Sequence, residues 1–302
     1  MVVGPTGVGK TALSIEIAEY FGTVVISADS RQIYREMRIG TAVPSPEELE
    51  RVTHYFIGKL SVKDYYNSWE YERDALAVAE RIFRNRPYAV LCGGSMMYVD
   101  AVCRGMDEAP DISPGLRKEV YREYADYGLA HMLAFLKELD PVFYEEVDRD
   151  NPKRVLHAVE ICRAAGRPCS NLRKKEKKKR DFDMLRIGLD MPRPELYARV
   201  DKRVDDMMAR GLEEEARRLY PFRAFNALNT VGYKEWFDYF EGKIEREEVV
   251  RLIKRNSRRY AKKQLTWFRK DKDITWFHPD MREEIFSYLR SPETWNLYGA
   301  GD

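Results

Sequence analysis

Cysteine is scarce and scattered in this chain, and that scarcity removes several classes of protein at once. Cys92, Cys103, Cys162 and Cys169 form no C-x-x-C pair, and none of the four histidines stands at zinc-finger spacing from them. Neither a disulfide framework nor a structural metal is indicated, and the four thiols read as small buried residues. Long apolar runs are also missing. Nothing approaches the roughly 18 residues of a membrane span, and no charged-then-apolar signal segment opens the chain, so a cytoplasmic protein is expected. Net charge is small too, +2 from 52 basic and 50 acidic residues. That balance hides segregation: acids gather at Glu213, Glu214 and Glu215, and bases in blocks near 173–180 and 251–270. Local patches matter more here than the sum. A length of 302 residues predicts about two domains with a sizeable core.

Against these absences one motif stands out. Gly4 to Thr11 read GPTGVGKT, a complete G-x-x-x-x-G-K-[ST] phosphate-binding loop. The glycines let successive backbone N–H groups curl around an anion, Lys10 adds a point charge, and Thr11 offers a hydroxyl to Mg²⁺. Thr11 opens an expected helix with Leu13, Ile17 and Phe21 at helical spacing, whose positive dipole end faces the same phosphates. Only Met1, Val2 and Val3 precede the loop, whereas a buried first strand usually runs about five residues, so a trimmed amino terminus is expected.

Strand and helix patterns alternate up to about residue 110. TVVISAD (23–29) and YAVLCGG (88–94) are short apolar runs ending in polar or glycine residues, the second preceded by a helical pattern over 71–85. Such alternation predicts a parallel sheet covered on both faces, with ligands beyond the carboxyl ends of its strands. That rule brings Asp29, Ser30, Gly93, Gly94 and Ser95 beside the phosphate loop. Between 111 and 172 no strand is evident. Ser113-Pro114 starts a helix with Leu116, Val120 and Tyr124 on one face, and GLAHMLAFLKEL and NPKRVLHAVEICRAAG read as further amphipathic helices. The expected organisation is therefore an α/β P-loop NTPase-like core from 1–110 and 181–302, a helical insertion domain at 111–172, and a basic linker loop at 173–180. The linker, RKKEKKKR, carries seven bases and one acid; it suits either a solvated loop or a contact to a phosphate backbone.

LRIGLDM (185–191) is again a buried-strand pattern, so the chain re-enters the sheet there. One long helix is expected next, with Leu196, Val200, Val204, Met208, Leu212 and Leu219 on one face, and Met207 and Met208 as core filler. The last long helix spans 245–270 and bears Arg251, Arg255, Arg258, Lys262 and Arg269 with Tyr260, Trp267 and Phe268 interleaved. Counterion release and stacking would suit it to nucleic acid, although a snorkelling surface helix has the same composition. Asp29, at the second strand's end, carries two readings: the acid holding Mg²⁺ in a nucleotide-hydrolysing site, or a general base for an incoming nucleophile.

GPTGVGKT, ISADSRQIY, IGTAVPSPEE, VLCGGSMMYVDA, DNPKRVLHAVEI, TVGYKE and AKKQLTWFRK, in that order over nearly the whole chain, resemble the tRNA dimethylallyltransferase family, also called tRNA isopentenyltransferases. The resemblance implies transfer of a dimethylallyl group from dimethylallyl diphosphate to N6 of the adenosine at tRNA position 37, beside the anticodon. Asp29 would then be the general base. Thr6 would donate to the bridging oxygen of the allylic diphosphate, and Gly4, Pro5, Gly7, Val8, Gly9, Lys10 and Thr11 would hold the diphosphate, with Mg²⁺ at Thr11 and Arg117 reaching in from the insertion. The resemblance also implies tRNA contacts from Asp29, Ser30, Arg31, Gln32, Ser95, Lys153, Arg154, His157, Gly232, Tyr233, Lys234, Lys262, Lys263, Gln264, Trp267 and Arg269, with the adenine extruded from its stack.

Two positions depart from the pattern. His157 stands where many relatives have an Arg, and a neutral imidazole does not replace a guanidinium fork. Ser95 stands where Thr is common, and keeps the hydroxyl. Eukaryotic relatives append a zinc finger; its absence resembles the bacterial form, expected to be a monomer without membrane association. Three alternatives share parts of this pattern: a P-loop kinase or NTPase acting on a small molecule, a non-catalytic RNA binder with a relic loop, and an adenylate isopentenyltransferase. The intact Lys10, Thr11 and Asp29 speak against the relic, and the basic aromatic helix against enzymes of free metabolites.

Overall fold

The computed structural model describes residues 1–107, 110–173, 178–292 and 294; half of the expected basic linker, 174–177, lies outside the described residues. The chain forms two compact units, one of Met1–Cys103 with Arg180–Asp302 and one of Arg104–Lys179. No described helix is long and apolar enough to cross a membrane.

The first unit is built on a six-stranded parallel sheet in the order β3-β2-β4-β1-β5-β6: β1 Val2–Val3, β2 Val25–Ser27, β3 His54–Tyr55, β4 Val90–Cys92, β5 Ile187–Leu189 and β6 Thr275–Phe277. Register pairs Val2 with both Cys92 and Ile187, and Ile26 with Leu91. Side chains alternate across a strand, and the core divides accordingly. Val2, Val25, Val90 and Ile187 join one buried cluster, whereas Val3, Ile26 and Leu91 join the other. Continuous apolar strands are what a sheet covered on both faces requires.

The covering helices begin where local chemistry dictates. α1 Lys10–Tyr20 follows the phosphate loop; α2 Pro46–Arg51 and α3 Ser68–Phe83 start on capping boxes, Ser45 with Glu48 and Asn67 with Glu70. α4 Met96–Arg104 follows β4. In the second unit, α5 Pro114–Leu139 starts on Ser113 and is interrupted at Gly128, whose φ is 78°. α6 Pro141–Glu146 is capped by Asp140. α7 Pro152–Ala165 starts on Asn151 and ends on left-handed Gly166. A separate core of Val120, Met132, Leu136, Phe143, Val155, Leu156 and Val159 holds these helices. Asp140, Cys162 and Cys169 bring their ligand atoms within 4.8 Å of one another there. Cys162 Sγ accepts from the Cys169 amide at 3.3 Å, and Asp140 accepts from the amide and hydroxyl of Ser170.

Returning to the sheet unit, the helix expected over Pro194 to Leu219 is two, α8 Arg193–Ala209 and α9 Leu212–Leu219, because Gly211 adopts φ 91° between them. α10 Lys234–Phe240 and α11 Arg246–Phe268 follow. The basic helix is not the last element: β6 and α12 Arg282–Arg290 come after it.

Candidate active site

β1 lies between β4 and β5, so the loop leaving it sits where strand connections diverge to either side, the usual ligand position in such sheets. Left-handed backbone at Gly4, Gly7 and Gly9 (φ 144°, 83° and 102°) shapes that loop. A methyl on Gly4 would stand 2.5 Å from the Leu189 carbonyl oxygen, so the first glycine is required for space as well as conformation. Lys10 Nζ donates to the Pro5 carbonyl at 2.7 Å. Burial, reinforced by the charge of Arg203 and opposed by Asp29, lowers its pKa to about 8.

The loop opens into a cavity of about 490 Å³ lined, among others, by Thr6, Lys10, Thr11, Asp29, Ser95, Arg203, Tyr260 and Gln264, with Val204, Met207, Val231 and Ile253 as apolar wall. Three strand ends converge there. After β2, Asp29 Oδ1 accepts from the amides of Arg31 (2.8 Å) and Gln32 (3.2 Å), an Asx turn that engages one oxygen and leaves Oδ2 without a bond inside the turn. After β4, Ser95 Oγ accepts from the Ser30 amide at 2.8 Å and pairs with the Ser30 hydroxyl at 3.1 Å. The two polar ends are thereby fastened to each other.

Several residues expected at the site face inward. Gln32 donates its amide to the carbonyls of Thr41 (3.2 Å) and Ala42 (3.1 Å). Tyr233 is fully buried, and its hydroxyl donates to Glu215 at 2.7 Å; burial raises its pKa, with Glu215 adding to the effect. Gln264 is 2% exposed, accepting from the Thr6 amide and donating to the Gly94 carbonyl, both at 2.8 Å. The resemblance implied RNA contacts for all three; in the fold their polar groups hold other parts of the protein. Trp267 donates Nε1 to Asp100 at 3.0 Å, and Arg269 pairs with Asp190. Gly232 gives its amide to Glu235 at 2.9 Å, while Lys234, Lys262 and Lys263 are exposed.

Lys153, Arg154 and His157 lie on the exposed face of α7, where His157 Nδ1 is 3.1 Å from Glu160. Arg117 also belongs to the helical unit, 3.4 Å from Glu160. Arg31 and Arg203 bring guanidinium groups to the lining of the cavity. Arg203 was missed in the sequence because an expected apolar face hid it: Val200, Arg203, Val204 and Met207 recur at helical spacing, and a cation inside that stripe was the available signal. Burial lowers the Arg203 pKa while Asp29 opposes the shift.

Residues 32–271 match the sequence profile of the IPP transferase family. The chain belongs to that family. Among curated IPP transferase relatives, the tRNA dimethylallyltransferase 2 of Parabacteroides distasonis is 54% identical over 289 residues, covering 96% of this chain and 97% of that protein. The tRNA dimethylallyltransferase 2 of Porphyromonas gingivalis is 56% identical over 280 residues, 93% of each. Among solved structures, the tRNA isopentenylpyrophosphate transferase of Bacillus halodurans superimposes with a TM-score of 0.71 at 33% identity, covering 98% of this chain and 97% of that one. The P-loop NTPase-like parallel sheet is thus that of a family of prenyl-transferring enzymes.

Proposed function

We propose that this protein transfers a dimethylallyl group from dimethylallyl diphosphate to N6 of the adenosine at tRNA position 37. The observation that carries this reading is a single cavity holding three things together: a phosphate loop, a carboxylate with one oxygen outside its own turn, and an apolar wall of Val204, Met207, Val231 and Ile253. An anion cradle beside an apolar wall suits an isoprenoid diphosphate, and a nearby carboxylate suits deprotonation of a weak amine nucleophile.

In the proposed reaction, the adenine N6 lone pair attacks C1 of the donor as the C1–O bond breaks. Asp29 Oδ2 takes the N6 proton, and diphosphate departs with the bonding electron pair. Loop amides, Lys10 and Arg203 stabilise the leaving group's growing charge, and the Thr6 hydroxyl donates to its bridging oxygen. Arg117 is proposed as a further diphosphate contact from the helical unit. The donor set also fits Mg²⁺, which takes hard oxygen ligands: Thr11 would hold the ion together with diphosphate oxygens, and its charge would offset that of the leaving group. Lys153, Arg154, Lys234, Lys262 and Lys263, all exposed, supply the proposed electrostatic contacts to the RNA backbone, with the exposed His157 beside them as a proposed hydrogen-bonding contact.

Incubation with labelled dimethylallyl diphosphate, Mg²⁺ and an anticodon stem-loop carrying adjacent adenosines is expected to label the RNA at N6. Phosphate transfer from ATP without prenylation would replace this reading with that of a kinase.

A further inference from the structure

We infer that Gln264 is a positioning residue that holds the phosphate loop in its anion-binding shape, and that its action is on the donor side of the reaction; this rests on the reading of the loop as a diphosphate cradle. Gln264 is 2% exposed and sits on α11. Its Oε1 accepts from the Thr6 amide at 2.8 Å, and its Nε2 donates to the Gly94 carbonyl at 2.8 Å. The orientation of the amide is forced, since a backbone N–H only donates and a backbone carbonyl only accepts. A carboxamide is the side chain that meets both demands at once. Leu lacks both polar atoms, and Glu has no donor for Gly94.

The clamp joins three separate stretches of sequence. Thr6 belongs to the loop after β1, Gly94 to the end of β4, and Gln264 to the basic helix. The fit is close, because a methyl on Gly94 would stand 2.3 Å from Gln264 Nε2. Thr6 is also the loop residue whose hydroxyl is proposed to face the leaving diphosphate, so fixing its amide fixes the direction from which that hydroxyl is offered. On the same turn of α11, Lys262 and Lys263 are exposed while Ala261 and Gln264 are buried. One turn of helix therefore presents charge outward and grips the loop inward.

The test replaces Gln264 by Glu and, separately, Gly94 by Ala, which reaches the same clamp from its other side. Calorimetry of inorganic pyrophosphate with Mg²⁺, without RNA, is read beside the KM for dimethylallyl diphosphate and the affinity for the stem-loop. Losing one buried hydrogen bond and leaving its partner unsatisfied predicts roughly tenfold weaker pyrophosphate binding and a matching rise in donor KM, with RNA affinity within about twofold. Because each variant breaks the same contact, the double variant is expected to lose little more than either one. If Gln264→Glu does not fold, Gly94→Ala is judged by the same three measurements. Weakened RNA affinity with unchanged pyrophosphate binding in either variant overturns the inference, because Gln264 would then act as an RNA contact. The pyrophosphate measurement needs no turnover. If the unmodified protein failed to prenylate RNA, the reading of its function would fall while the clamp was still decided by that binding.

Discussion

Arg258 donates from Nη1 to both carboxylate oxygens of Asp201, at 2.6 and 2.7 Å, and Asp201 precedes Arg203 by two residues on α8. The composition of α11 suggested Arg258 as a contact to an RNA backbone. In the fold it fastens α11 to the helix that delivers Arg203 to the cavity. Arg258→Ala is expected to raise donor KM by about three- to tenfold through loosened α8, in line with loss of a charge-assisted pair worth on the order of 1 kcal/mol. The salt dependence of RNA binding should barely move. A fall of about one in the slope of log K against log salt would instead return Arg258 to the RNA face.

Asp29→Asn separates chemistry from architecture. Asparagine's Oδ1 can still accept from the Arg31 and Gln32 amides, so the turn should persist, while the proton acceptor is lost. A drop of about 10²- to 10⁴-fold in kcat is expected, with donor and RNA affinities within a few-fold. An equal fall in RNA affinity would show that the carboxylate serves binding.

Lys10 gives the site a pH dependence with a definite sign. Burial lowers its pKa to about 8, so above that pH the free protein holds it neutral and must take up a proton to meet a diphosphate in the charged form. Donor affinity should therefore decline as pH rises beyond 8, approaching tenfold per unit. Calorimetry in buffers of differing ionisation enthalpy should register the proton uptake. Without ligand, the charged form is the disfavoured one in the folded state. Lys10→Met should raise the thermal midpoint at pH 7, and the gain should shrink as pH climbs from 8 toward 10.5. A midpoint gain that did not vary over that range would refute the buried-cation account.

Glu215 is 3% exposed and accepts from the amides of Arg38, Ile39 and Gly40 at 2.9–3.0 Å as well as from the Tyr233 hydroxyl. Glu215→Gln turns an NH₂ toward donors and should cost about 2–4 kcal/mol, seen as a fall of several degrees in thermal midpoint. Tyr233→Phe, which removes one of these donors, should cost about 1 kcal/mol. Equal losses in the two variants would mean that Tyr233 carries the contact.

How much of this was legible beforehand depended on the length of each signal. The phosphate loop was readable because eight consecutive residues encode one geometry, and β2, β4 and β5 because largely buried strands leave short apolar runs. β3 and β6 were missed: they are two and three residues long with only partly buried side chains, too short for a period to register. The break at Gly128 coincides with the start of GLAHMLAFLKEL, read as a helix of its own, whereas the break at Gly211 was missed because a lone glycine inside a helical pattern is usually tolerated. The site was legible where motif and strand end coincided, as at Asp29 and Ser95. The direction in which a side chain points around a helix was not readable in the sequence. Gln264 and Trp267 lie among exposed lysines, yet their polar atoms point inward to Gly94 and Asp100, which depends on how α11 packs against the sheet.

The paired glycines that close β4 carry a consequence for how this scaffold can diversify. A methyl on Gly93 would meet the Ala28 carbonyl oxygen at 2.2 Å, much as one on Gly94 would meet Gln264. At Gly93 backbone presses against backbone, so a side chain added there cannot reshape that corner, and at Gly94 the space is taken by the Gln264 side chain. Variation in the size or chemistry of the accepted molecule must therefore enter from the opposite wall, where α8 and α11 contribute Val204, Met207 and Ile253. The sheet side stays a fixed template, and the helical side is the adjustable one.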